Sequence, residues 1–303
     1  MSAKEKRNYL KPFRCVGGFM LVITLFVFIL NVSLTGISLF TSSIFGDGII
    51  SNLVSELCFY GSICYTYYVG YRIFFKKYKI KLFEIKKIDS KKILNCFLSI
   101  IIAFILTRFI WLVWELILNK TGYVPVDDGN EVYFIGIVFA TILAPIIEEI
   151  VFRGWILKAL QKYGNVVAIT ISSLVFGIYH GTATQSVPAI FIGVLFAILT
   201  LRYKSIIPSI IVHLLSNTLS IVLEIIKDYR FVSLIIKVFS VIFIVLSIVI
   251  IIYYSIIYTK KLLNKSSDFW KAFKLQFYSI SYIFFNIFYI FYIIIDFIKG
   301  IKN

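Results

Sequence analysis

Apolar residues run along this chain in stretches too long for a soluble core. By hydropathy, nine segments are candidate helical spans: 16–40, 53–75, 93–118, 133–157, 166–187, 187–203, 206–226, 231–258 and 277–298. A hydrocarbon core of about 30 Å needs about 20 apolar residues of α-helix, the length most of these segments supply. The pattern predicts an all-α fold: a polytopic membrane helix bundle of about 8–9 transmembrane helices. The first run is a full span rather than a cleavable leader. The ninth, "FYSISYIFFNIFYIFYIIIDFI", is so aromatic that it suits either the interface or late packing onto a core of eight.

The polar breaks between the runs set orientation. With the N-terminus cytoplasmic, inner segments carry 23 Lys and Arg against 6 in outer ones, with Arg108 and Arg153 left inside spans. That asymmetry predicts a cytoplasmic N-terminus. The longest polar segment, "KKYKIKLFEIKKIDSKK" (76–92), reads as a basic cytoplasmic loop resting on anionic headgroups. No internal repeat is evident. The expected organisation is residues 1–132 as spans 1–3 with the basic loop, 133–230 as a core of spans 4–7, and 231–303 as C-terminal spans.

Composition agrees. Hydrophobic residues make up 60% of the 303 and charged residues 15%, with mean hydropathy +0.94. Soluble domains hold about 25% charged residues. The net charge of +16 is topological charge in short loops, so nucleic acid is not the expected partner. Cys15, Cys58, Cys64 and Cys96 form no C-x-x-C pair and read as small hydrophobes. The richness in Ile, Lys, Tyr, Phe and Asn resembles proteins of AT-rich bacterial genomes. A multi-pass protein of a bacterial cell membrane is therefore expected.

Ionisable groups inside spans are costly and mark function. Here they are Arg108, Glu115, Glu148, Glu149, Arg153, His180 and His213, and the two histidines are all the chain has. Arg108 and Glu115, seven apart in the third span, read as a structural pair or as snorkelling groups. Glu149 and Arg153 are four apart and can pair on one helix face. Glu148 lies about 140° from Arg153 on an α-helix, so it should face elsewhere as the free carboxylate. "FGIYH" puts Phe176 and His180 on one face, and "HLLSN" does the same for His213 and Asn217.

Depth counting brings these faces together. Glu148 lies 16 residues before Gly164 and His180 lies 16 after it, so an antiparallel pair turning there levels them. The counted depths place the cluster in the inner half of the bilayer. The segment "GTATQS" (181–186) would then be irregular polar backbone at membrane depth, tolerated only beside a cavity. In such a site a carboxylate and an imidazole can activate water, while a second imidazole and an amide stabilise an oxyanion. That chemistry is peptide or amide hydrolysis without a covalent nucleophile, and no G-x-S-x-G is present. Catalytic zinc on Glu and two His is the rival mechanism, although H-E-x-x-H is absent.

"EEIVFR", "FGIYH" and "HLLSN" follow in order on the fourth, fifth and seventh spans. They resemble the E-E-x-x-x-R, F-x-x-x-H and H-x-x-x-N/D motifs of the CAAX-protease and bacteriocin-processing (CPBP, or Abi) family of intramembrane proteases, which includes type II CAAX prenyl proteases. The resemblance covers about 133–226 and leaves the C-terminal span outside. It implies water activation by Glu148 and His180, an oxyanion hole of His213 and Asn217, and positioning roles for Glu149, Arg153 and Phe176. It implies no cofactor and a peptide or membrane-anchored protein as substrate. A non-hydrolytic protein of the same fold, serving bacteriocin immunity or as a scaffold, is the alternative.

Overall fold

The structure, a computed structural model, describes residues 3–46, 48–76, 93–124, 134–226, 270 and 274–302. Among these there is no strand. Helix α1 runs Ala3–Phe45, α2 Ile49–Gly70 with a π-helical extension Tyr71–Lys76, and α3 Ile93–Lys120. Helix α4 is one rod that changes register along its length. It begins as α-helix at Phe134–Val138, becomes π-helical over Phe139–Leu143, and returns to α at Ala144–Glu148. It is π-helical again over Glu149–Leu157 and ends in the 3₁₀ turn Gln161–Tyr163. Helices α5 (Asn165–Tyr179), α6 (Ala183–Tyr203), α7 (Ile207–Ile226) and α8 (Ile280–Lys302) complete the described chain.

The chain is a polytopic helical membrane bundle. By length and composition six described helices can cross a bilayer: Leu10–Leu30 within α1, Ile93–Lys120, Ile135–Tyr163, Ala183–Tyr203, Ile207–Ile225 and Ile280–Ile301. The eighth expected span, 231–258, and the basic loop beyond Lys76 lie outside the described residues. Helix α5 is shorter than expected. It stops at Tyr179 because Gly181 turns the chain at φ +73. Most of the segment 181–186 is therefore not irregular. Thr182 caps α6, its hydroxyl accepting from the Gln185 N–H at 3.3 Å, and Pro188 lies inside that helix. The connection is only His180–Gly181–Thr182. Pro188 is the sixth residue of that helix, so it does not mark the boundary.

Close packing holds the hairpin of α5 and α6. A Cβ on Gly177 would lie 2.2 Å from Ile190 Cγ1 and 2.6 Å from the Ser186 carbonyl. On Gly193 it would meet Ser173 at 3.1 Å and Phe176 at 3.2 Å. Small residues at such crossings let backbones approach, the packing that lipid leaves available. Phe152 and Phe176 each lie 12 residues from Gly164 and meet edge-to-face at 5.0 Å, so α4 and α5 are level about that turn. The C-terminal helix α8 lies on α1, where Gly17 lets Tyr282 within 2.5 Å of a would-be Cβ. Tyr282 and Phe285 are buried there.

Candidate active site

Helix irregularity exposes backbone carbonyls, and the motif side chains take them up. In the π turn Phe139–Leu143 the Ala144 N–H bonds back to Phe139 rather than Ala140. The next possible donor to Ala140, five residues on, is Pro145, which has no N–H. The Ala140 carbonyl is thus left without a helical partner. Asn217 Nδ2 on α7 donates to it at 3.0 Å. The same happens at the end of α5. The His180 N–H turns to Gly177, at 3.2 Å, which releases the Phe176 carbonyl. His180 Nδ1 donates to that carbonyl at 2.8 Å. A carbonyl oxygen only accepts, so the Nδ1 proton leaves Nε2 of the neutral ring as an acceptor.

Arg153 and Glu149 are paired at 3.3 Å and fully enclosed. The guanidinium lies 4.2 Å from the Phe176 ring centre and 5.3 Å from that of Phe196, with Nη2 at 3.4 Å from the Gly193 carbonyl. Two aromatic faces and a carbonyl thus replace water around a buried cation. Phe176 does more than share a face with His180: its ring also stands edge-on to His213 at 5.9 Å.

Glu148, expected to face away from Arg153, lies against His213. His213 Nδ1 is 3.1 Å from Glu149 Oε1, and its Nε2 is 3.7 Å from Glu148 Oε2. Neighbouring carboxylates thus approach opposite nitrogens of one imidazole. The helix turns π-helical from Glu149 to Leu157. Glu148 is still the accessible carboxylate, its side chain 19% exposed against 0% for Glu149. No group of three or more His, Cys, Asp or Glu arranged to hold a metal is found among the described residues. Arg108 donates to Ser220 on α7 at 2.9 Å.

Residues 130–219 match the family model described as "Type II CAAX prenyl endopeptidase Rce1-like". The match covers less than a third of the chain. It holds Glu148, Glu149, Arg153, Phe176, His180, His213 and Asn217. A Bacillus subtilis (strain 168) protein described as "Putative membrane peptidase YdiL" is 37% identical over 89 residues, 29% of this chain and 36% of that relative. The chain therefore spans little more than a third of the length of the curated relative it matches. No solved structure matches. The apolar helices and the Rce1-like segment make this an integral multi-pass membrane protein.

Several residues around the candidate site carry no motif in the sequence. The phenols of Tyr67 on α2 and Tyr179 beside His180 share a hydrogen bond. Asp296 on α8 accepts from the Ala183 N–H at 2.8 Å. Trp114 Nε1 donates to the Ala183 carbonyl at 2.9 Å. Asp296 had a signal in the sequence: it is an acid within "FYIIIDFI", and an acid in an apolar helix asks for a partner. The tyrosines had none, being two of 20.

Proposed function

We propose that this chain is an intramembrane endopeptidase that hydrolyses a peptide bond with water activated at Glu148. The observation that carries the reading is the convergence of Glu148 and Glu149 on opposite nitrogens of His213. One carboxylate is enclosed and neutralised by Arg153, while the other is partly open. Glu148 takes a proton from water, and the hydroxide adds to the scissile carbonyl carbon. His180, with Nε2 as acceptor, shares the proton and passes it to the leaving amine. The imidazolium of His213, its Nδ1–H held by Glu149, and the second amide N–H of Asn217 donate to the oxyanion. Collapse yields a carboxylate and a free amine. Arg153, Glu149 and Phe176 position these groups.

The substrate class is a peptide or membrane-anchored protein, as the Rce1-like description suggests. The excess of basic residues in the inner segments supports a site open to the cytoplasmic side. The proposed route uses no metal. Full activity of purified protein after treatment with a strong chelator is the expected result, and loss restored by zinc would replace this mechanism with a zinc one. Comparison of membrane-protein termini in cells carrying wild type or Glu148→Gln tests hydrolysis itself. New termini present only with wild type are expected.

One observation favours a second, non-hydrolytic reading as an immunity or scaffold protein. Both His180 and Asn217 already hold backbone carbonyls. On that reading Glu148→Gln leaves the termini and the cellular phenotype unchanged.

A further inference from the structure

The Rce1-like segment ends at residue 219, within α7, yet the turn carrying His180 is held from α8. Only Gly181 and Thr182 separate His180 from α6, so whatever fixes the start of α6 fixes His180. The first N–H groups of a helix lack partners within it. Thr182 takes that of Gln185, and Asp296 takes that of Ala183 at 2.8 Å. A carboxylate at this end also complements the helix dipole. The Asp296 oxygen is itself oriented, because the Tyr123 hydroxyl donates to the same Oδ2 at 2.9 Å. Tyr123 is seated in turn: a Cβ on Gly300 would lie 2.2 Å from its ring, and Phe297 stacks on it at 5.8 Å. From α8, Tyr289 and Tyr292 cover Gly181, with ring atoms 3.5 Å from a would-be Cβ.

We propose that Asp296 is a positioning residue of the active site: by holding the Ala183 N–H it sets the backbone at His180, so that Nδ1 stays on the Phe176 carbonyl and Nε2 stays an acceptor. This rests on the reading of His180 as a proton carrier. Two constraints act on the ring from different helices, one on its nitrogen and one on its backbone. Helix α8 therefore belongs to the working site although it lies outside the Rce1-like segment.

The chain has two histidines, so the full-length protein labelled with ¹⁵N-histidine in lipid nanodiscs gives two sets of ring signals, assigned with His213→Gln. In the wild type His180 shows one tautomer, protonated at Nδ1. In Asp296→Ala its ring signals move to a mixture of tautomers while those of His213 stay in place. Asp296→Asn, whose amide oxygen can accept both bonds, restores the single tautomer. Asp296→Val repeats the test should the alanine variant not accumulate. An unchanged His180 signal in either folded acceptor-free variant overturns the proposal, as does an equal shift of both histidines. The readout needs no turnover, so it fails or succeeds independently of the termini comparison that tests hydrolysis.

Discussion

Asn217 gives a side-chain N–H to the backbone carbonyl of Ala140, 3.0 Å away on another helix. The bond exists because the π turn and Pro145 together strip that carbonyl of its helical donors. Asn217→Ala therefore leaves a carbonyl unpartnered at membrane depth, at a cost of about 1–3 kcal/mol. On the proposed mechanism it also removes an oxyanion donor, a loss of about 10²–10³ in turnover. Thermal unfolding in detergent and the cleavage rate report the two effects separately. Wild-type values for both would remove Asn217 from the site.

Glu148→Gln preserves shape and removes the proposed base. Cleavage is expected to fall about 10²–10⁴-fold with unfolding temperature unchanged. Accumulation and gel-filtration profile should match the wild type, because the side chain is partly open and glutamine keeps its size.

Glu149 and Arg153 behave differently. Removing one partner strands a buried charge, which costs about 3–5 kcal/mol. Glu149→Leu and Arg153→Leu should each accumulate poorly. The double variant Glu149→Leu with Arg153→Leu should recover part of the stability, since no charge is left uncompensated. It should not recover cleavage, because His213 Nδ1 has lost its acceptor. Recovery of cleavage in the double variant would show that Glu149 acts on folding alone.

Gly177 and Gly193 form a graded pair. Gly177→Ala drives a methyl into the Ser186 carbonyl and the Ile190 backbone and should weaken the α5–α6 hairpin strongly. Gly193→Ala meets Ser173 and Phe176 at 3.1–3.2 Å and should weaken it less. Urea or thermal midpoints of the two variants give the order, and the reverse order would contradict this packing.

Tyr123 predicts an alkaline limit. Burial, and then the Asp296 carboxylate that accepts its proton, push its phenol up from 10.0 to about 12. A raised folded value means the stabilisation is fully present below about 10 and is lost as pH rises through about 12. Melting temperature should drop over that window, and the drop should be smaller in Tyr123→Phe.

Much of this was readable in the amino acids. The four-residue step from Glu149 to Arg153, the shared face of Phe176 and His180, and the antiparallel turn of α4 and α5 at Gly164 are consequences of helical repeat. What was not readable depends on register and on distant partners. The π register from Glu149 to Leu157 is one such feature, since hydropathy does not report register. "GTATQS" looked like a polar loop because Thr and Ser are poor helix formers, whereas here Thr182 starts the helix as its cap. Asp296 is the single acid of a strongly aromatic stretch, and its partner is 113 residues earlier.

That separation has a consequence for how the protein is made. A chain synthesised from its N-terminus presents Glu148, His180, His213 and Asn217 to the membrane well before α8 exists. The hydrogen bond from Ala183 to Asp296 cannot form until 113 further residues have been added. The motif helices can thus assemble on the ribosome while the turn at His180 still lacks its anchor. On the role proposed for Asp296, a nascent chain stalled before α8 would be inserted and folded around its charges, yet not competent to cut its neighbours.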